Sequence, residues 1–179
     1  MTTILAFDTA TSFGAVCALS DGGTMRTPRA GDLLAAVDRL VEDPSAIDGI
    51  VVGRGPGSFT SIRIGLAIAR SLSLALGVPV SGASTLHAFA GGVPVVDARR
   101  GEVFTVGPVV ARPEELDVEG KTLVGDGALR YRDLFEARGA TVPGDDGVHV
   151  PDPRLLIDHA EPRIDPLYVR DPDAKPRAA

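Results

Sequence analysis

A glycine-rich loop at residues 53–58 has the composition of a phosphate-binding turn. It reads Gly53-Arg-Gly-Pro-Gly-Ser58 and follows an apolar, β-branched run. Glycines let the backbone turn tightly and approach a ligand closely, and the helix that Ser58 would cap offers free N–H groups to an anion. The spacing matches neither a Walker A loop nor a dinucleotide-binding loop, and Ser58 lacks the flanking glycines of a nucleophile elbow. We therefore favour a tight turn with a capping serine over an anion site.

A carboxylate at the end of the first predicted strand is the second candidate for chemistry. Asp8 precedes the hydroxyls of Thr9 and Thr11, and such a group suits a metal-bound phosphate. Aspartate in a turn also routinely accepts hydrogen bonds from the turn's own N–H groups, and we favour that interpretation. The alternative is an ATPase or small kinase that uses Asp8, the Gly55–Ser58 loop and a second acidic residue such as Asp97.

Other catalytic and metal-binding arrangements find little support in the residues. Cys17 is the single cysteine, which excludes a disulfide within the chain and a zinc site built from cysteines. His87, His149 and His159 have no metal-ligand spacing, and no Ser/His/Asp set can be assembled. We predict no catalytic residue, no metal site and no tightly bound cofactor.

The charge balance bears on partners and location. The chain has 18 basic and 24 acidic residues, and a net charge of −6 argues against RNA phosphates as its main direct ligand. Direct RNA contact through Arg54, Arg99 and Arg100 remains an alternative. The N-terminus shows no signal-peptide pattern, and the apolar region 62–76 contains two arginines, so we predict a buried helix, a cytoplasmic protein and no membrane contact.

Hydrophobic periodicity predicts an α/β protein whose strands and helices alternate. The predicted strands are Thr3–Asp8, Ala15–Ser20, a brief Thr24–Thr27, Ile47–Gly53, Val78–Gly82, Val93–Asp97, Glu102–Gly107 and Lys121–Val124. The predicted helices are Asp32–Glu42, Phe59–Leu76, a short one capped by Ser84, Leu129–Arg138 and Pro153–Glu161. Four prolines after residue 161 predict an extended tail.

The predicted helix Phe59–Leu76 has an apolar or small face wider than one sheet requires. Small side chains recur at every fourth position of this face, at Ser61, Gly65, Ala69 and Ser73. Such a row lets another helix backbone approach closely. A seam with a partner protein and burial on both sides within this chain are both consistent with the pattern.

These segments together resemble the bacterial TsaB family, also called YeaZ, over nearly the whole chain. Each motif is weak alone, but their order along the chain makes the resemblance specific. The motifs are Ile4–Thr11, Gly53–Thr60 with Arg63–Leu66, Gly82–Leu86, Asp97–Val103 and Tyr168–Ala174.

The resemblance implies an actin/hexokinase-like (ASKHA) α/β fold with two related lobes, the second truncated. Residues 1–91 would form the N-terminal lobe with the partner-binding helices, and residues 92–179 a smaller lobe and an extended tail. It implies a non-catalytic scaffold or dimerisation subunit in the synthesis of threonylcarbamoyladenosine in tRNA. The transferase chemistry would belong to a TsaD-type partner, with a TsaE-like ATPase and tRNA joining through the complex, and free copies would form homodimers.

The resemblance also assigns residues. The partner interface would include Ser61, Gly65, Ala69, Leu72 and Ser73, with Leu33 and Val37 from the preceding helix. Ser61 stands where the family commonly has glycine, which adds bulk at the seam. A vestigial phosphate site, open to weak or partner-dependent nucleotide binding, would consist of Asp8, Thr9, Gly55, Gly57 and Ser58.

Overall fold

The computed structural model describes residues 2–144 and 146–169, and its main element is a five-stranded mixed sheet with the order β3-β2-β1-β4-β5. Antiparallel hairpins join the first three strands, whereas β1, β4 and β5 run parallel. The predicted α/β class and the brief third strand are confirmed. The strands are β1 (Ile4–Asp8), β2 (Ala15–Leu19), β3 (Thr24–Thr27), β4 (Gly49–Gly53) and β5 (Val80–Ala83).

Two helices cover one face of this sheet, α1 (Leu33–Leu40) and α2 (Phe59–Leu76). The bounds of α2 follow from its caps, because the Ser58 hydroxyl accepts from Ser61 N and Gly77 ends the helix at φ +70°. Both caps confirm the prediction. The first helix is shorter than the predicted Asp32–Glu42, and Leu34 departs from the predicted apolar stripe because it is 53% exposed.

The opposite face of the sheet is covered by a late segment of the chain. A 3₁₀ helix over Pro153–His159 packs there, and Leu156 contacts the core that Ala6 and Val51 form on this side. Gly82 and Glu161 then exchange two backbone hydrogen bonds of 2.9 and 3.0 Å. A sequential division at residue 91 therefore does not describe the packing, since residues 153–161 lie against the first sheet.

The segment after residue 92 forms two smaller sheets. The predicted strand Val93–Asp97 divides in two, because β6 (Val93–Pro94) pairs with β10 (Leu123–Val124) while β7 (Val96–Arg99) begins a separate sheet. That sheet continues with β8 (Glu102–Thr105) and β9 (Val109–Ala111), the last of which the sequence did not predict.

Short helices pack beside the two smaller sheets. The predicted helix Leu129–Arg138 is instead α3 (Asp126–Arg130) and α4 (Arg132–Ala137), separated at Tyr131, and α5 (Asp146–His149) follows. The relation of this region to the first as a truncated second lobe stays a prediction. The end of the predicted tail, including Arg170–Ala174 of the last motif, lies outside the described residues.

Candidate functional site

Asp8 lies at the end of β1 and is buried among its hydrogen-bond donors. One carboxylate oxygen accepts from Ala10 N at 2.8 Å, and the other accepts from the Thr85 hydroxyl at 2.6 Å. The same hydroxyl accepts from Gly55 N at 3.1 Å. Burial raises the pKa of Asp8, with a smaller contribution from the charge of Asp126, while the two hydrogen bonds lower it. Asp8 thus ties the first turn to the glycine-rich loop.

Asp8→Asn should preserve the fold, because the amide keeps the shape and the bond from Ala10 N. We expect its free energy of unfolding at neutral pH to stay within about 1 kcal/mol of wild type, whereas Asp8→Ala should lose about 2–4 kcal/mol. The pKa of Asp8 is raised in the folded state, so its stabilising contribution is fully present below about pH 4 and is lost as the pH rises through the raised pKa. Urea unfolding at several pH values should show Asp8→Asn gaining on wild type toward neutral pH; the opposite trend would contradict this assignment.

A cleft of about 780 Å³ opens beside this turn. Its wall includes the β1–β2 loop, the start of α2, the β7–β8 hairpin and the segment Leu167–Val169. Of the predicted phosphate residues, Gly57 and Ser58 line the cleft. Asp8, Thr9 and Gly55 do not line it, and Thr9 instead donates its hydroxyl to Ser61 O at 2.7 Å. The volume suits a small-molecule ligand, but these three predicted residues are not part of its wall.

Two aspartates stand at the inner wall of the cleft. Asp97, which the sequence suggested as a second acidic residue, has its carboxylate 3.6 Å from Arg99 and 3.7 Å from Arg130. Asp126, which the sequence analysis missed, is 7% exposed and accepts backbone hydrogen bonds from both sides of the cleft. A sequence signal for it exists, because Gly125-Asp126-Gly127 follows a short apolar run.

The row of small residues on α2 faces the chain's own sheet, which corrects the predicted seam. Gly65 and Ala69 are buried, and a Cβ added to Gly65 would lie 2.5 Å from the Thr9 hydroxyl oxygen. Ser61 and Ser73 are half-buried, and the Ser73 hydroxyl donates to Val78 O at 2.6 Å. These small side chains let the helix lie close to the end of β1.

The remaining predicted interface residues also contribute to the internal core. Leu33 and Val37 of α1 are buried, and Leu72 is half-buried against the same cluster. A partner cannot contact the buried Leu33, Val37, Gly65 and Ala69 while the fold is intact. The prediction failed at these positions because apolar spacing identifies a buried face without showing which surface buries it.

A different face of α2 is exposed. We call it the outer face, and its centre lies about half a helical turn from the buried row. Leu74 is 86% exposed, and the exposed Arg63 and Arg70 flank the face on one side. The outer face consists of Thr60, Ala67, Ser71, Leu74 and Ala75, with half-buried Ile64 at its edge.

The exposure of the outer face is unusual for so apolar a helix. By length and composition α2 could cross a membrane, yet here it packs on the sheet through Ile62 and Leu66. Four of its residues are buried. At the start of the helix, Phe59 stacks on Tyr168 with ring centroids 4.8 Å apart, and Arg63 lies over the Phe59 ring.

The three histidines occupy two places. The rings of His87 and His159 lie 4.0 Å apart at the surface, whereas His149 is buried and accepts from Gly125 N. Within residues 2–144 and 146–169, no three His, Cys, Asp or Glu side chains are grouped to hold a metal ion.

Comparisons with known proteins agree on one family. A family model described as TsaD, tRNA N6-adenosine threonylcarbamoyltransferase, matches residues 32–135. An uncharacterized protein of Mycobacterium tuberculosis is 36% identical over 82% of this chain and 75% of its own length. The Escherichia coli tRNA threonylcarbamoyladenosine biosynthesis protein TsaB is 36% identical over 56% of this chain and 52% of its own length. The structure of YeaZ from Pseudomonas aeruginosa matches with a TM-score of 0.73 at 25% identity, over 94% of this chain and 100% of that one.

The chain belongs to the TsaB (YeaZ) family. The similarity in structure extends beyond the first sheet, so the smaller sheets and the returning 3₁₀ helix are part of the YeaZ fold and not additions to it. The match to the TsaD description covers α1, β4, α2 and the β7–β8 hairpin, and so includes the outer face and part of the cleft wall.

Proposed function

We propose that this TsaB-family chain is a non-catalytic subunit in the biosynthesis of threonylcarbamoyladenosine in tRNA, and that it binds a TsaD-type catalytic subunit through the outer face of α2. The observation that carries this proposal is an 18-residue apolar helix of which four residues are buried. Exposed apolar and small side chains grouped on one helix face are typical of an interaction surface. The names of the TsaB relatives support the pathway.

The chemistry of the outer face supports a helical or flat apolar partner. Ala67 and Ser71 are small, so a second helix can approach closely, and Leu74 supplies apolar area to bury. Leu34 is a further exposed apolar side chain on α1, which covers the same side of the sheet. When the partner is absent, a second copy of the chain could bind the same face. The free chain would then form homodimers.

The contacts of Asp8 and Asp97 support a subunit that catalyses no reaction by itself. Both oxygens of Asp8 are occupied by internal donors, and Asp97 is paired with two arginines. An ATPase or small kinase is the second candidate, and the volume of the cleft favours it. If the chain is an ATPase or kinase, Asp8→Asn should abolish its nucleotide turnover. If it is a non-catalytic subunit, cells that carry the Asp8→Asn variant should continue to modify tRNA.

Two of the arginines suggested for RNA contact are engaged within the chain. Their internal contacts support the proposal that tRNA binds the assembled complex and not this chain alone. Arg54 is buried, donates to Asp165 O at 3.3 Å and lies 3.6 Å from Glu161. Arg99 is paired with Asp97. A TsaE-like ATPase would join the same assembly in the cytoplasm, and any nucleotide would bind weakly or only in the complex.

The proposal is tested by mixing the purified chain with the TsaD-type subunit of the same organism. We expect a stable complex in size-exclusion chromatography, transferase activity that depends on both chains, and no ATP or threonylcarbamoyl turnover by this chain alone. Failure to form a complex would contradict the proposal. Turnover by the isolated chain that Asp8→Asn abolishes would favour the ATPase.

A further inference from the structure

The carboxylate of Asp126 bridges the β1–β2 loop and strand β7, which both line the cleft. Ser12 N, in the β1–β2 loop, donates to one oxygen at 2.7 Å, and Asp97 N, at the β7–β8 hairpin, donates to the other at 3.0 Å. Ser12 is 114 residues away in sequence, so the contact joins distant parts of the chain. One side chain therefore holds the inner end of the cleft together.

The backbone around Asp126 leaves this carboxylate little freedom. Gly125 has φ +105° and donates its N–H to His149 Nδ1 at 3.2 Å, while His149 Nε2 donates to Pro143 O at 2.7 Å. Gly127 N donates to Val95 O at 3.0 Å, and a Cβ added to Gly125 would lie 2.5 Å from the same oxygen. The position of the carboxylate is thus set by its neighbours.

The surroundings of Asp126 are those of an oxyanion site. Two backbone N–H groups converge on its oxygens, and backbone donors of this kind bind anions in proteins. The hydroxyl oxygen of Thr11 is buried without a hydrogen-bond partner among the described residues and lines the same cleft. Arg29, Arg99 and Arg100 also line it, as does Asp97, and Arg29 and Arg99 are each paired with an aspartate.

We propose that Asp126 is a built-in occupant of an anion site, and that its carboxylate takes the donors that a phosphate-type oxyanion would otherwise use. Occupation by the chain's own side chain holds the β1–β2 loop and strand β7 together without a ligand. Thr60 and Ile64 of the outer face also line the cleft, but the inference rests on Asp126 and its two backbone donors, which are not part of that face. It therefore does not depend on the partner proposed above.

Asp126→Ala should leave the N–H groups of Ser12 and Asp97 free to bind an anion. We expect it to lower the melting temperature and to bind inorganic phosphate about tenfold or more tightly than wild type, because two charge-assisted hydrogen bonds become available. Formate or phosphate should restore part of the lost melting temperature at matched ionic strength, whereas chloride should not. Asp133→Ala removes an exposed aspartate on α4 and should change neither quantity.

Asp126→Asn keeps the volume but cannot accept from both N–H groups, so anions should not rescue it. Should Asp126→Ala fail to fold, amide hydrogen exchange of Ser12 and Asp97 in Asp126→Asn provides the readout, and at least one amide should lose protection. Equal phosphate affinity in wild type and Asp126→Ala would overturn the proposal, as would an Asp126→Ala protein that responds to no anion. Unchanged protection of both amides in Asp126→Asn would overturn it as well.

Discussion

Gly65→Ala is expected to lower the free energy of unfolding by about 2 kcal/mol, and Gly65→Leu to prevent folding. The added Cβ would lie 2.5 Å from the hydroxyl oxygen of Thr9, which is buried and donates to Ser61 O. Thr9 cannot move away without losing this bond. Helix propensity alone predicts the opposite sign, a gain of about 1 kcal/mol for alanine over glycine.

Urea unfolding followed by circular dichroism would decide between these signs. A double-mutant cycle with Thr9→Ala isolates the clash, since the hydroxyl oxygen is then gone and alanine at position 65 should become less harmful by more than about 1 kcal/mol. Ala67→Leu, two residues along on the exposed side of α2, serves as the control and should stay within about 0.5 kcal/mol of wild type. A more stable Gly65→Ala protein would show that α2 lies farther from Thr9.

Ala67→Arg is expected to weaken binding of the TsaD-type subunit by about 100-fold or more while the chain stays folded. Ala67 lies near the centre of the outer face, where an arginine would have to be buried without a partner charge on complex formation. Folding should tolerate the change because the position is exposed and arginine is a good helix former. Calorimetric titration with the partner measures the loss.

The matched control makes the same substitution elsewhere. Ala137 is exposed at the end of α4, and Ala137→Arg should bind the partner like wild type. Equal affinities for Ala67→Arg and wild type would place the interface off the outer face. An equal loss of affinity in both variants would show that the added positive charge weakens binding wherever it is placed, and not that Ala67 contacts the partner.

Gly65 and Ala67 show why the two experiments separate folding from binding. They are two residues apart and lie on opposite sides of α2, one against Thr9 and the other in solvent. A variant at Gly65 that abolishes partner binding would therefore report on the fold. Only substitutions on the outer face test the interface itself.

The local features of this chain could be predicted from the sequence because they depend on short-range chemistry. Ser58 and Gly77 bound α2 as predicted, since a capping hydroxyl and a left-handed glycine act within one helical turn. The hairpin strands of the first sheet follow from alternation and turn residues in the same way. The family resemblance rests on motifs that such short segments carry.

Tertiary structure alone decided which side of each element is buried and which distant groups meet. A row of small residues reads the same whether it faces a partner or the chain's own sheet, so Gly65 and Ala69 were assigned to the wrong surface. Asp126 was not predicted, because the backbone N–H groups that donate hydrogen bonds to it lie 29 and 114 residues away in sequence. Hydrophobic periodicity carries no information about such distant contacts. The return of residues 153–161 to the first sheet depends likewise on packing between segments that the sequence separates widely.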